Sequence, residues 1–280
     1  RANRSTSEVS LGNRLPAIAV LAIPVLAGAL YMALNGAPSH YPLTNLGALM
    51  LGCLWIAAGR GPHTALSRHL MAGILLSTLL TPLAVGPELT SITGDRVARW
   101  FPLGPLTLHT GMLATPALCM LAARNRQLAA PILLAALTAS YLQPDAATGF
   151  ALTFAAFGLY HATRDWKVGV VAAIGFLASI KMAMIGQLPA QPYVERVLVE
   201  AAGQSIILSL ALAAAMAVAF FLILFAIPFD RAKRSSLAGL FFGFGIMALM
   251  SNYPTPLIGY GAASILGFGL ALGLHRIPQR

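Results

Sequence analysis

The chain has 280 residues, of which 58% are hydrophobic and only 9% charged, with a mean hydropathy of +0.78 and a formal net charge of +10. A water-soluble domain of this size carries about 25% charged residues, so the composition excludes an ordinary soluble fold and points to an all-α, polytopic integral membrane bundle. The positive charge does not indicate nucleic acid, because the Lys and Arg stand in short gaps between apolar segments, where an anionic lipid headgroup is the natural neighbour.

The first residues are polar, with Arg1, Arg4, Glu8 and Arg14, and residues 1–15 are expected to be a cytoplasmic segment. The apolar stretch that follows lacks a clear small-residue cleavage site and reads as a retained span, not a removed signal. A helix needs about 20 apolar residues to cross a bilayer. By that measure ten spans are predicted, over 16–35, 42–59, 67–85, 104–123, 128–143, 146–161, 167–186, 196–227, 236–252 and 255–275. The fifth and sixth are short and are separated only by Gln143-Pro144-Asp145, a turn-forming break. The eighth is too long for one perpendicular helix and is stopped by Pro228 and Asp230. Most gaps are small; the exception is 86–103, with Glu88, Asp95, Arg96, Arg99 and Trp100. Cys53 and Cys119 lie inside apolar segments without metal or redox spacing, so they read as packing residues. No internal repeat or linker divides the chain, and residues 1–280 are expected to form one transmembrane domain.

The basic residues alternate along this series. Arg1, Arg4, Arg14, Arg60, Arg68, Arg124, Arg126, Arg164, Lys167, Arg231, Lys233, Arg234, Arg276 and Arg280 fall in every second gap, and the remaining gaps hold only Arg96, Arg99 and Arg196. Loops carrying Lys and Arg stay cytoplasmic, which predicts both termini inside.

Four charged or titratable groups lie within or at the ends of predicted spans, where charge is expensive and tends to be functional. Lys181 in the seventh span and Glu200 in the eighth are at similar depth and are expected to pair. His109 lies near the outer end of the fourth span. Asp145, at the break, is expected to cap the sixth. There is no phosphate-binding glycine loop, no HExxH and no GxSxG, and no cofactor or metal is expected.

Four stretches, in order, resemble one family. Arg99-Trp100-Phe101-Pro102-Leu103-Gly104 is similar to the segment before the fourth span of the SEDS proteins, the RodA/FtsW/SpoVE type of shape, elongation, division and sporulation protein. Gln143-Pro144-Asp145 resembles their break after the fifth span. Leu188-Pro189, followed by Glu200-Ala-Ala-Gly203, resembles their passage into the eighth. Pro256-Leu257-Ile258-Gly259-Tyr260-Gly261-Ala262-Ala263-Ser264 is similar to the motif opening their tenth. The resemblance implies a ten-span bundle in the bacterial inner membrane that polymerises lipid-linked disaccharide beside a penicillin-binding protein. The departures argue against an intact activity. Where the family's fourth span carries an acid and a lysine, this chain has His109-Thr110-Gly111-Met112-Leu113-Ala114-Thr115. The position of the family's essential aspartate falls on Pro192, which leaves Glu195 as the nearest carboxylate and the one weak catalytic candidate. Glycosyl transfer needs a base at the acceptor hydroxyl and cations at the leaving diphosphate. Here Arg96, Arg99 and Asp145 remain as groups for a lipid or anion. The reading is a divergent, non-catalytic SEDS-like scaffold contacting membrane lipids and other integral membrane proteins. Its alternatives are an accessory subunit of a larger membrane complex and a small transporter or flippase that uses Lys181, Glu200 and Asp145.

Overall fold

The computed structural model describes residues 14–59, 61–104 and 106–274. Arg1, Arg4, Glu8, Arg60, Arg276 and Arg280, which figure in the charge pattern, lie outside them. The molecule is a polytopic membrane helix bundle. Among the described residues, five helical segments are long and apolar enough to cross a membrane: Leu15–Leu34, His40–Ala58, Ala65–Val85, Trp166–Ile185 and Ile206–Ala226.

In chain order the helices are α1 (Leu15–Leu34), α2 (His40–Ala58), α3 (Ala65–Leu80), a single turn α4 (Pro82–Val85), α5 (Thr110–Arg124), α6 (Arg126–Leu142), α7 (Ala146–Thr163), α8 (Trp166–Ile185), α9 (Val197–Gln204), α10 (Ile206–Phe221), α11 (Arg231–Met250) and α12 (Ala262–Gly273). Their starts follow local chemistry. Thr64 and Ser67 form a capping box on α3, while Asn125, Asp145, Asp165 and Asp230 each accept a backbone N–H at the first turn of α6, α7, α8 and α11. The long stretch expected over 196–227 is broken. It divides at the extended Ser205 and ends in a π-helical turn over Leu222–Ala226.

The centre is the packing of α7 on α11, which continues through α5 to α12. Gly239 and Gly243 make this seam possible: a Cβ at either would run into the backbone of Phe154 or Ala151. In lipid no hydrophobic effect drives helices together, so such close backbone contact supplies the cohesion. The outward faces of α8, α10 and the π-helical turn after it carry Leu177, Ile207 and Phe225, about 70% exposed or more (69%, 76% and 72%), as a lipid-facing surface requires.

The bundle has two distinct ends. At the first, residues 35, 86–104, 106–109, 186–196 and 251–261 meet. Ile92 N–H donates to Gln187 O at 2.9 Å, and Thr255 N–H to Val194 O at 2.9 Å. This is the cleft end. At the opposite, basic end, Arg126 donates to Thr163 O at 3.3 Å and Arg231 meets His161 at 3.2 Å.

Two expectations are corrected here. The polar segment 86–103 and the residues after it hold two short antiparallel ladders, β1 (Leu89–Thr90) with β2 (Arg96–Val97) and β3 (Trp100–Leu103) with β4 (Leu106–His109). α5 therefore starts at Thr110, later than the predicted 104. The last helix starts at Ala262, not 255, because Leu257 (φ 65°) and Gly261 (φ 146°) adopt conformations that no helix can contain.

Candidate functional site at the cleft end

A cleft of about 440 Å³ opens between the 251–261 loop, the 186–196 loop and the β3–β4 hairpin. Trp100, His109, Glu195, Thr255, Tyr260 and Ser264 are among its walls.

The hairpin places Arg99 just before β3, where its carbonyl accepts from Thr110 N at 3.2 Å and so ties the strand to the start of α5. The Arg99 side chain is fully buried. Its guanidinium carbon lies 4.5 Å from the Trp100 ring centroid and 4.5 Å from that of Tyr253, and Nη1 donates to Gly186 O at 3.3 Å. Cation–π contacts on two rings compensate part of the lost hydration. Nε and Nη2 have no hydrogen-bond partner among the described residues.

Asp145 is also fully buried. Oδ1 accepts from Thr148 N at 3.2 Å, and Oδ2 accepts from Thr148 Oγ1 and faces His109 Nε2 at 3.5 Å. His109 in turn caps α5, its Nδ1 accepting from Met112 N at 3.3 Å. That bond puts the proton of a neutral ring on Nε2, toward Asp145. Both ring nitrogens thus face protein, and although His109 forms part of the cleft wall it has no nitrogen free to act as a base there.

Glu195 is 5% exposed. Its carboxylate accepts from Gln191 N, and its backbone bridges to Pro254 across the cleft end. Burial pushes its pKa up from the usual carboxylate range, opposed in part by the Gln191 N–H and by the charge of Arg99.

These positions sort the residues singled out in the sequence. Arg99, Asp145 and His109 are gathered at one place, with Glu195 within reach of the Arg99 charge. Asp145 caps α7 as expected, but neither it nor Arg99 is at the surface: both are sealed, so neither meets an anion in solvent. Arg96 is exposed and paired with Glu88 at the surface, where such a pair contributes little. The expected Lys181–Glu200 pair is not formed. Lys181 stands on the exposed face of α8 and donates to Tyr141 Oη of α6, while Glu200 accepts from Tyr193 N at 2.9 Å. Equal depth does not set direction around the helix, and the two residues turn to different neighbours. Among the described residues no Lys or Arg is part of the cleft wall.

The sequence reading missed the rings around the mouth. Tyr41 and Tyr260 stack, and His40 and Tyr193 meet Tyr41 edge-on. Tyr260 was visible only as one letter of a quoted motif; Tyr41 and Tyr193 carried no signal.

Over 95% of this chain and 96% of the other, the bundle superposes on the crystal structure of the rod shape determining protein RodA of Thermus thermophilus, with a TM-score of 0.56 at 17% identity. The fold is shared with RodA. It also superposes on a chain from a peptidoglycan synthase complex that coordinates polymerization and crosslinking, with a TM-score of 0.58, 18% identity, and 95% of this chain and 97% of that one covered. No protein-family model and no curated protein sequence matches the chain. The RodA-like likeness covers α1 to α3 as well, where the sequence resembled the family only in its alternation of charge.

Proposed function

We propose that this chain is a divergent SEDS-like protein of the bacterial inner membrane, a single ten-span domain with both termini cytoplasmic, whose outward cleft holds a lipid-linked glycan precursor without polymerising it. It acts in peptidoglycan assembly through contacts with other membrane chains, as the fold shared with a peptidoglycan synthase complex supports. One observation carries the non-catalytic part: the cleft wall offers the Glu195 carboxylate but, among the described residues, no cationic side chain. Transfer from a lipid diphosphate develops negative charge on the leaving group, and cationic side chains or dipoles aimed at that charge are what lower the barrier. Here Arg99 is committed to Trp100, Tyr253 and Gly186, and Thr115 stands where the resemblance would place a cation. A carboxylate beside a diphosphate adds repulsion. Arg96, exposed next to Glu88, remains the cation for a headgroup at this end.

The test is reconstitution of the full chain in liposomes with lipid-linked disaccharide and magnesium. We expect the lipid to be retained and no glycan polymer to form. Polymer that appears with the native chain and disappears with Glu195→Gln overturns the scaffold reading and makes Glu195 the base.

A further inference from the structure

A second hollow, of about 830 Å³, lies on the outward side of the α7–α8 hairpin. Phe154, Phe157 and Tyr160 of α7 and Trp166, Ala173 and Leu177 of α8 are among its walls. It is open to the surroundings along its length: Phe157 is 59% exposed, and Trp166 and Leu177 are each 69% exposed. The wall is apolar apart from hydroxyls, and that of Thr153 is already spent on Gly149 O at 2.9 Å.

Glycines set where the hollow begins and ends. Toward the cleft end the two helices close on each other: a Cβ at Gly149 would lie 2.6 Å from Ser179 Oγ, and one at Gly175 2.6 Å from Thr153 Oγ1. Toward the basic end Gly169 leaves room for the Tyr160 ring, which a Cβ there would meet at 3.1 Å. The lined stretch of α8, Trp166 to Leu177, rises about 16 Å at 1.5 Å per residue. That is half of the roughly 30 Å hydrocarbon core. A partner's transmembrane helix packs along the whole crossing, whereas an acyl chain of one leaflet needs only this half.

The half in question is the one with the basic residues. Arg164 closes α7 in a left-handed turn (φ 57°), and Lys167 stands in the first turn of α8 beside Trp166. Both are exposed, and neither forms a salt bridge among the described residues. Asp165 between them is occupied in capping Lys167 N at 3.0 Å. Arg126 and Arg231 reach the same end of α7 through Thr163 O and His161. Tyr160 and Trp166 mark this level as the headgroup region, where such rings concentrate.

We propose that the α7–α8 groove holds one acyl chain of an anionic phospholipid from the leaflet at the basic end, with its phosphate held by Arg164 and Lys167. The chain fills an apolar channel one leaflet deep, and the cations at its mouth choose the headgroup. This site is separate from the cleft and does not depend on how the cleft is read.

The test is native mass spectrometry of the full chain in a non-ionic detergent with equal amounts of dioleoyl phosphatidylglycerol and dioleoyl phosphatidylcholine. We expect phosphatidylglycerol to be retained in preference. Arg164→Asn and Lys167→Gln should each weaken its retention about fivefold, the loss of one surface cation. Ala173→Trp, which fills the groove from an exposed position, should weaken retention of both lipids about tenfold. Ile174→Trp, exposed on the same helix but outside the groove wall, should change nothing. Equal retention of the two lipids by the native chain, an Ala173→Trp variant that binds like it, or displacement of the lipid by glycerol 3-phosphate alone overturns the proposal, the last by showing a free-anion site. If Ala173→Trp does not fold, a diazirine attached to Ala173→Cys in the Cys53→Ala background serves. In native membranes it should cross-link to phospholipid, and cross-linking to another polypeptide instead would make the groove a helix-docking face and overturn the lipid site.

Discussion

At the cleft end, Arg99, Asp145 and Glu195 are closed off from solvent, whereas at the opposite end Arg126, Arg164, Lys167 and Arg231 stand exposed. Asp145 and Asp165 make the contrast sharp, because both cap a helix. Asp145 caps α7 with no exposed surface and is also bound to Thr148 Oγ1 and set against His109. Asp165 caps α8 half-exposed, with Lys167 N at 3.0 Å. Buried charge has to be matched by fixed partners and becomes part of the architecture. Exposed charge at a membrane surface is free to meet headgroups and sets orientation. The two ends thus spend the same residue types on different tasks.

The largest effect that tests this contrast is one of labelling. In a Cys53→Ala background, Ile92→Cys at the cleft end is expected to react with an impermeant thiol reagent added outside intact cells, and Gln127→Cys at the basic end is not. Ile92 is the position to use because it is 64% exposed, whereas the neighbouring Ser91 is buried. The reverse pattern would turn the bundle over and place the cleft in the cytoplasm. Next in size are the two caps. Asp145→Ala removes a cap and strands the buried Thr148 and His109, at a cost of about 3 kcal/mol, while Asp165→Ala costs about 1 kcal/mol. Unfolding in mild detergent measures both, and equal losses would erase the distinction between the ends.

The smallest effect is a pH dependence. Burial holds the Glu195 pKa above its unfolded value, so the folded state binds this proton more tightly than the unfolded chain. Stability therefore falls as pH rises through the window from the ordinary carboxylate value to the raised one, and stays lower above it. Glu195→Gln, which cannot ionise, should melt slightly higher than the native chain at pH 8, and the advantage should vanish as pH falls below the ordinary carboxylate range. An advantage that is the same at every pH would show that burial of the charge is not its cause.

Much of the architecture was legible because it depends on local chemistry. The Gln143-Pro144-Asp145 break ends α6 and caps α7, and the four ordered motifs pointed to the fold that the superposition on RodA shows. What was not legible depends on direction and on distance along the chain. Helix depth can be counted in residues, but the turn of Lys181 toward Tyr141 depends on how α8 is rotated. The hairpins in 86–109 have too few residues for a period of two to appear. The start of α12 was misplaced because Leu257, an ordinary helix former, is held left-handed by its surroundings. Tyr41, Tyr193 and Tyr260 meet only after every intervening helix is placed.

The glycine seam between α7 and α11 has a consequence for how this chain can change over time. Where backbones touch, the test a substitution faces is one of volume: serine and leucine differ there by how far they push, not by how well they dissolve. On the outward faces of α8 and α10 the test is solubility in lipid, and shape counts for little. A map of every tolerated replacement would therefore show a narrow stripe of small residues running up the centre of the molecule, between broad bands where almost any apolar residue serves.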